Sequence, residues 1–298
     1  MESVQHITLG HSPDPDDAFM WWPLFGIDGN PPAISEPGLQ WIQVCQDIET
    51  LNRRAAGATE HLLDVTAMSC ANIPLVGKRY ALTACGSSVG DGYGPKLVSH
   101  QPMTLDDLRK PSCTIAVPGR RTTSFLALSL MLGPNSFRFE EVPFDQLMER
   151  VIDGTFQAGV VIHEGQLLFE EQGLHLVADL GAWWKSHSGL PLPLGVNAIR
   201  RDLDERYGLG TTRRVNQLLQ ASIRHAMQHH EEGVRYAMRF ARGLEAGLAG
   251  TFVDLYVNHW TLECGPRGRE AVKRLLSEAA EAGMLPPAPH DLFVSEPC

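Results

Sequence analysis

A chain of 298 residues, 43% hydrophobic and 20% charged, has the make-up of a globular protein of one large domain or two ordinary ones. Its 25 basic and 35 acidic residues leave a net charge of −10, which argues against a nucleic-acid partner, because a phosphate backbone needs a basic footprint. No apolar run is long enough to cross a bilayer, and MESVQHITLG lacks the basic start and apolar core of a secretory signal, so the expectation is a soluble, cytoplasmic protein with no membrane partner.

HITLG reads as a short strand and Pro15 to Phe25 as a helix with proline in its first turn. Residues 31–38 are a loop, LQWIQV alternates as a strand, and DIETLNRRAAG is a helix. LDVTAMS is a strand, CANIPLVGK a short helix, and YALTACGS a strand that runs into the glycine-rich loop GSSVGDGYGP, before the strand KLVSH. From Pro102 the pattern recurs. TLDDLRK is a helical turn, CTIAVPG a strand, RTTSFLALSLML a helix and FRFEEVP a strand; FDQLMERVIDG is a helix with Phe144, Leu147, Met148, Val151 and Ile152 at helical spacing. QAGVVIH is an apolar strand, EGQLLFEEQG a helix, and LHLVADLG and LPLGVNAIR are strands. After Arg201 the strands stop: Thr211 to Gly243 carries helical spacing broken at Gly233, and FVDLYVNHWTL and RGREAVKRLLSEAAEAG are further helices.

Strands alternating with helices predict an α/β fold with mixed, mostly parallel sheets. The expected division is two lobes, one of residues 1–101 plus 193–298, carrying both chain ends, and an inserted one of residues 102–192. Ligands in such folds bind beyond the carboxyl ends of strands and in the cleft between lobes. The six cysteines, at 45, 70, 85, 113, 264 and 298, form no CxxC and no repeated spacing, which predicts buried thiols rather than disulfides or structural zinc.

The residues that follow each predicted strand are small and polar. They are Ser12, Asp14, Asp16 and Asp17; Ser69 and Asn72; Gly86, Ser87 and Ser88; Gly119, Arg120, Arg121, Thr122 and Thr123; His163 and Glu164; and Gly195 and Asn197. In VPGRRTTSFLAL a strand ends at Gly119 and a helix begins near Thr122, so unpaired N–H groups, two hydroxyls and two arginines form a candidate carboxylate or phosphate seat. The alternative is a threonine cap with solvent-exposed arginines. His163 ends an apolar strand, where an imidazole serves either as a general base or as a strand-end hydrogen-bonding group. His225 and His229, four apart, fit a solvated helix face better than a metal site. The carboxylates of HSPDPDDAF have three readings: a helix cap, a magnesium site, or a lining of the cleft.

With these motifs in view, the chain resembles the futalosine-pathway family of menaquinone biosynthesis, on the side of its 1,4-dihydroxy-6-naphthoate synthases. The resemblance runs through SPDPDDAF, where the family has SPCPNDTF, then RYALTACGSSVGDGYGPKLV, VPGRRTTSFLAL, AGVVIHEGQLLFEEQGLHLVADLGAWW, LPLPLGVNAIRRDL and FVDLYVNHWTLECGPRG. It implies a fold like the type II periplasmic binding proteins and a lyase that needs no cofactor or metal. It also implies His163 as the catalytic histidine, Thr122 and Thr123 as hydroxyls for a small-molecule carboxylate substrate, Ser69 as a further contact and Asp17 as the family's aspartate. Ser12, Asp14 and Gly119 join these as substrate-binding candidates. Asp14 stands for the family's cysteine, Asp16 for asparagine and Ala18 for threonine, which adds negative charge beside a carboxylate ligand. A changed carboxylate substrate, or a cytoplasmic protein that only binds a small anion, are the alternative readings.

Overall fold

The computed structural model describes residues 4–163, 165–240 and 245–294. The chain opens with β1 (Gln5–His11), α1 (Pro15–Phe25), β2 (Leu39–Cys45), α2 (Ile48–Ala55), β3 (Val65–Ser69), α3 (Ile73–Val76), β4 (Tyr80–Leu82) and β5 (Ser88–Gly90). It crosses into β6 (Lys96–Ser99), β7 (Thr114–Val117), α4 (Thr123–Leu132), β8 (Arg138–Glu141), α5 (Phe144–Ile152), β9 (Ala158–Val161), α6 (Gly165–Leu168), β10 (His175–Asp179) and α7 (Leu180–Ser188). It returns through β11 (Leu192–Arg200) to α8 (Leu203–Tyr207), α9 (Thr211–Gln228), α10 (His230–Ala237), α11 (Ala246–Tyr256), α12 (His259–Leu262) and α13 (Gly265–Glu281).

Two mixed sheets result. The first has the order β2-β1-β3-β11-β4, with β5 also on β11; the second has the order β10-β6-β9-β7-β8. The strands joined by helical crossovers pair in parallel, β1 with β2 and β3, and β7 with β8 and β9. The strands at the crossings, β6, β10 and β11, join antiparallel. β6 falls before the expected boundary at 102, yet it hydrogen-bonds to β9 and β10, so sheet membership changes before Lys96.

Apolar content decides the layers. β3 and β9 are buried along their whole length, as strands covered on both faces must be. α1 is apolar nearly all round and buried from Pro15 to Leu24, which requires a cover. The C-terminal helices supply it: Val215, Leu219, Ile223 and Ala226 of α9 share a buried cluster with Phe19, Met20, Trp21 and Trp22. No helix among the described residues is long and apolar enough to cross a membrane.

Three elements differ from the sequence reading. LHLVADLG stops being a strand at Asp179, whose carboxylate accepts the N–H groups of Gly181 and Ala182 (2.9 and 3.0 Å) and starts α7 over the segment that follows. YALTACGS ends as a strand at Leu82, because the Thr83 hydroxyl donates to the Asn197 carbonyl (3.0 Å) and Gly86 takes a left-handed turn (φ 78°); β5 forms inside the glycine-rich loop. The C-terminal helical run breaks at His229 (φ −122°, ψ 53°) rather than at Gly233. Gly233 lies within α10, where a β-carbon would meet the Phe19 ring at 2.5 Å, so the glycine serves close packing against α1. The end of that expected helix, residues 241–243, lies outside the described residues. Cys70, Cys85, Cys113 and Cys264 are buried as expected, but Cys45 is exposed at the end of the edge strand β2; Cys298 lies outside the described residues.

Candidate active site

A cavity of about 110 Å³ lies at the carboxyl ends of β1, β3, β7 and β9. Ser12, Asp14, Asp16 and Asp17 enter it after β1, Ser69 at the end of β3, Thr122, Thr123 and Ser124 at the start of α4, and His163 and Gln166 after β9. Ile48, Ile162, Leu194, Phe252 and Tyr256 provide apolar and aromatic wall. Ten of the strand-end candidates therefore line one space: Ser12, Asp14, Asp16, Asp17, Ser69, Ser88, Thr122, Thr123, His163 and Gly195.

Gly119 does not. The Glu49 carboxyl packs on its α-carbon, within 2.6 Å of where a β-carbon would stand, and its carbonyl accepts the Thr122 hydroxyl (2.7 Å). The arginines also point elsewhere: Arg120 stacks over the Phe139 ring at 4.8 Å, and Arg121 reaches the Asn72 side chain at 3.4 Å. Asn197 donates to the Gly86 carbonyl (2.7 Å) and holds the loop before β5. Glu164 lies outside the described residues.

The anion seat differs in its donors from the sequence expectation. Thr122 is the N-cap of α4: its hydroxyl oxygen accepts the Phe125 N–H (3.2 Å) while donating to Gly119. The Thr123 hydroxyl donates to the Leu194 carbonyl (2.7 Å) and ties α4 to β11. Both hydroxyls are thus spent on the protein. What the cap leaves over is the N–H of Thr123 and of Ser124, the first two of the helix, for which no acceptor is found among the described residues. Ser124, which the sequence reading missed, adds a hydroxyl 3.0 Å from that of Thr122.

The acidic loop is no simple cap. Asp14 holds the N-cap position of α1 but makes no side-chain cap hydrogen bond; its carboxylate instead lies 2.7 Å from His163 Nδ1. Asp17 accepts the Ser12 N–H (2.9 Å), and Asp16 accepts the Ser88 hydroxyl (2.8 Å). Burial first, then neighbouring negative charge (from Asp17 and Asp14), pushes Asp16 up to about 8, with Ser88 and His163 acting the other way. Burial likewise raises Asp17, partly offset by its hydrogen bond from Ser12. Near neutral pH Asp16 then keeps its proton and presents one donor and one acceptor, as the family's asparagine would. His11, directly before this loop, is neutral: burial lowers it to about 4, Nδ1–H donates to the Ser12 carbonyl (2.6 Å), and Nε2 accepts from Gln43 (2.7 Å).

Asp16 gives a stability test. Folding raises its pKa, so its contribution is full below the unfolded value of 3.8 and is lost as pH rises through about 8. Asp16→Asn removes that loss. Its melting temperature should match wild type in acid and exceed it by roughly 3 °C or more at alkaline pH. A constant difference across the whole range would show that Asp16 does not titrate there.

His163 itself is held firmly. It takes left-handed backbone geometry (φ 61°), uncommon for a non-glycine residue, and its carbonyl accepts the Gln166 N–H (3.1 Å). The Phe144 ring packs edge-on against the imidazole at 4.4 Å. Gln166 in turn accepts the Tyr256 hydroxyl (2.8 Å), a further contact between the two lobes in the cavity lining. Asn52, fully buried on α2, fixes Ser69 by donating to its hydroxyl (3.0 Å) and accepting its N–H (2.8 Å). His225 and His229 stack on each other at 4.0 Å, with His225 against Trp22, away from the cavity.

Two α/β lobes around a cavity at their strand ends define an architecture of the type II periplasmic-binding-protein kind. The alkanesulfonate-binding protein of Xanthomonas axonopodis pv. citri shares that fold, with a TM-score of 0.67 at 10% identity over 96% of each chain. The crystal structure of an Archaeoglobus fulgidus protein superimposes with a TM-score of 0.84 at 37% identity, covering 94% of this chain and 98% of that one. A family model described as menaquinone biosynthesis matches residues 7–281. The 1,4-dihydroxy-6-naphtoate synthase of Thermus thermophilus is 37% identical over 292 residues, 98% of this chain and all of that one. The chain belongs to the menaquinone biosynthesis family.

Proposed function

We propose that the protein is a lyase of menaquinone biosynthesis, acting like a 1,4-dihydroxy-6-naphthoate synthase on cyclic de-hypoxanthine futalosine. One observation carries this reading: the His163 imidazole and the open N–H groups at the start of α4 line a single cavity with apolar walls. The substrate carboxylate sits at the N–H groups of Thr123 and Ser124, where the helix end favours negative charge. His163 removes a carbon-bound proton as general base. The electron pair left on that carbon forms a new ring double bond as a carbon–carbon or carbon–oxygen bond breaks, and the departing fragment of the substrate takes that bond's electron pair, with aromatisation as the driving force. Ser12 and Ser69 offer hydroxyls to the substrate's remaining polar groups.

The acidic loop carries less negative charge beside a carboxylate ligand than its sequence shows, because Asp16 is held in its acid form, and the Asp14 carboxylate is turned onto His163 Nδ1. The pairing of a carboxylate with an imidazole at the cavity wall also favours catalysis over simple anion capture, which needs no base. Purified protein incubated with cyclic de-hypoxanthine futalosine should release 1,4-dihydroxy-6-naphthoate, detected by chromatography and mass. A stable complex with no product would support capture instead. No binding at all would support a changed carboxylate substrate.

A further inference from the structure

We propose that Asp14 is a positioning residue that orients the His163 imidazole from across the cleft. This deepens the reading of His163 as general base and rests on it.

Asp14 occupies the N-cap position of α1, with extended backbone (φ −70°, ψ 144°), where an aspartate normally accepts a helix N–H. Here the carboxylate makes no cap bond and reaches His163 Nδ1 at 2.7 Å. The aspartate is itself braced, its N–H on the Ser12 hydroxyl (3.2 Å) and its carbonyl on the Ala18 N–H (3.0 Å).

Asp14 follows β1 of the first sheet and His163 follows β9 of the second, so the contact spans the cleft. With Asp14 on Nδ1, the neutral ring carries its proton there, and base chemistry falls to Nε2. The Phe144 ring sets the tilt of the imidazole from the side of the second lobe, and Asp14 sets its rotation and tautomer from the first. The side chains are 10% and 15% exposed, so water screens the pair weakly. Among the described residues, Asp14, Asp16 and Asp17 act on the imidazole by their charge from the first lobe.

The test uses Asp14→Ala, Asp14→Asn and His163→Gln. Asp14→Ala should lower kcat by roughly 10²- to 10⁴-fold with KM within about threefold, and Asp14→Asn, which keeps an acceptor but not the charge, should fall between it and wild type. Removing a carboxylate beside an imidazole removes a stabiliser of the protonated ring, so the acid limb of the kcat–pH profile should move to lower pH in both variants. In protein labelled with ¹⁵N-histidine, the resonances that vanish in His163→Gln should report an Nδ1–H ring in wild type and a mixed tautomer in Asp14→Ala. A merely structural ion pair would lower the melting temperature while leaving kcat, the acid limb and the tautomer unchanged, and that result would overturn the proposal. Undiminished turnover in His163→Gln would instead defeat the general-base reading. The ¹⁵N signals decide the positioning role even then, because they need no substrate.

Discussion

His163→Ala should lose about three orders of magnitude or more in kcat while binding substrate within a few-fold of wild type. The size follows from what is removed. A general base placed at the reacting carbon contributes 10²- to 10⁴-fold, and the neighbouring carboxyls are poor substitutes. Asp16 is protonated near neutral pH, and Asp17 is committed to the Ser12 N–H. Binding should survive because the carboxylate seat belongs to α4 and the apolar wall to other segments, Ile48, Leu194 and Phe252 among them. The two effects separate in a steady-state measurement of kcat alongside a direct binding titration. Wild-type kcat would remove His163 from the chemistry. Loss of binding in step with kcat would make it a binding residue.

Ser124→Asp should raise KM by about 100-fold with little change in stability. A carboxylate in the first turn of a helix is normally favourable, by about 0.3–1 kcal/mol, so α4 should tolerate it. Its charge would, however, fall at the N–H groups assigned to the substrate, and a charge-assisted hydrogen bond lost to competition costs on the order of 1.5–3 kcal/mol. Ser124→Ala keeps both N–H groups and should bind nearly as wild type does. This pair of variants distinguishes a seat made of backbone from one made of hydroxyls. If Ser124→Asp binds normally, the substrate carboxylate lies elsewhere.

The legible part of the site was its set of strand ends. Apolar runs broken by small polar residues placed Ser12, Ser69, Thr122 and His163 at loop starts, and parallel pairing of the strands carried them to one side. The partners of the Thr122 and Thr123 hydroxyls were not legible: Thr122 caps α4 and donates to the Gly119 carbonyl, and Thr123 donates to the Leu194 carbonyl. Gly119 misled, since its freedom serves the approach of Glu49. Phe252 and Tyr256 were missed because α11 belongs to a helical tail whose docking on the cleft depends on α1 needing cover, a tertiary demand with no local signature. The pairing of Asp14 with His163 is of the same kind, a contact between lobes that no spacing encodes. α7 was missed because its start signal, Asp179, looks like the end of a strand.

The charge puzzle of SPDPDDAF also resolves only in three dimensions. Read along the chain, Asp14 and Asp16 in place of cysteine and asparagine add two charges next to a carboxylate ligand. In the fold, burial holds a proton on one, and His163 faces the other.

The most direct measurement is a crystal structure with product or an unreactive substrate analogue bound. The expected result puts the ligand carboxylate about 3 Å from the N–H groups of Thr123 and Ser124, and the carbon that loses its proton against Nε2 of His163. A ligand bound outside this cavity, or one turned with its carboxylate toward Asp16 and its ring away from His163, would contradict the assignment of both the seat and the base.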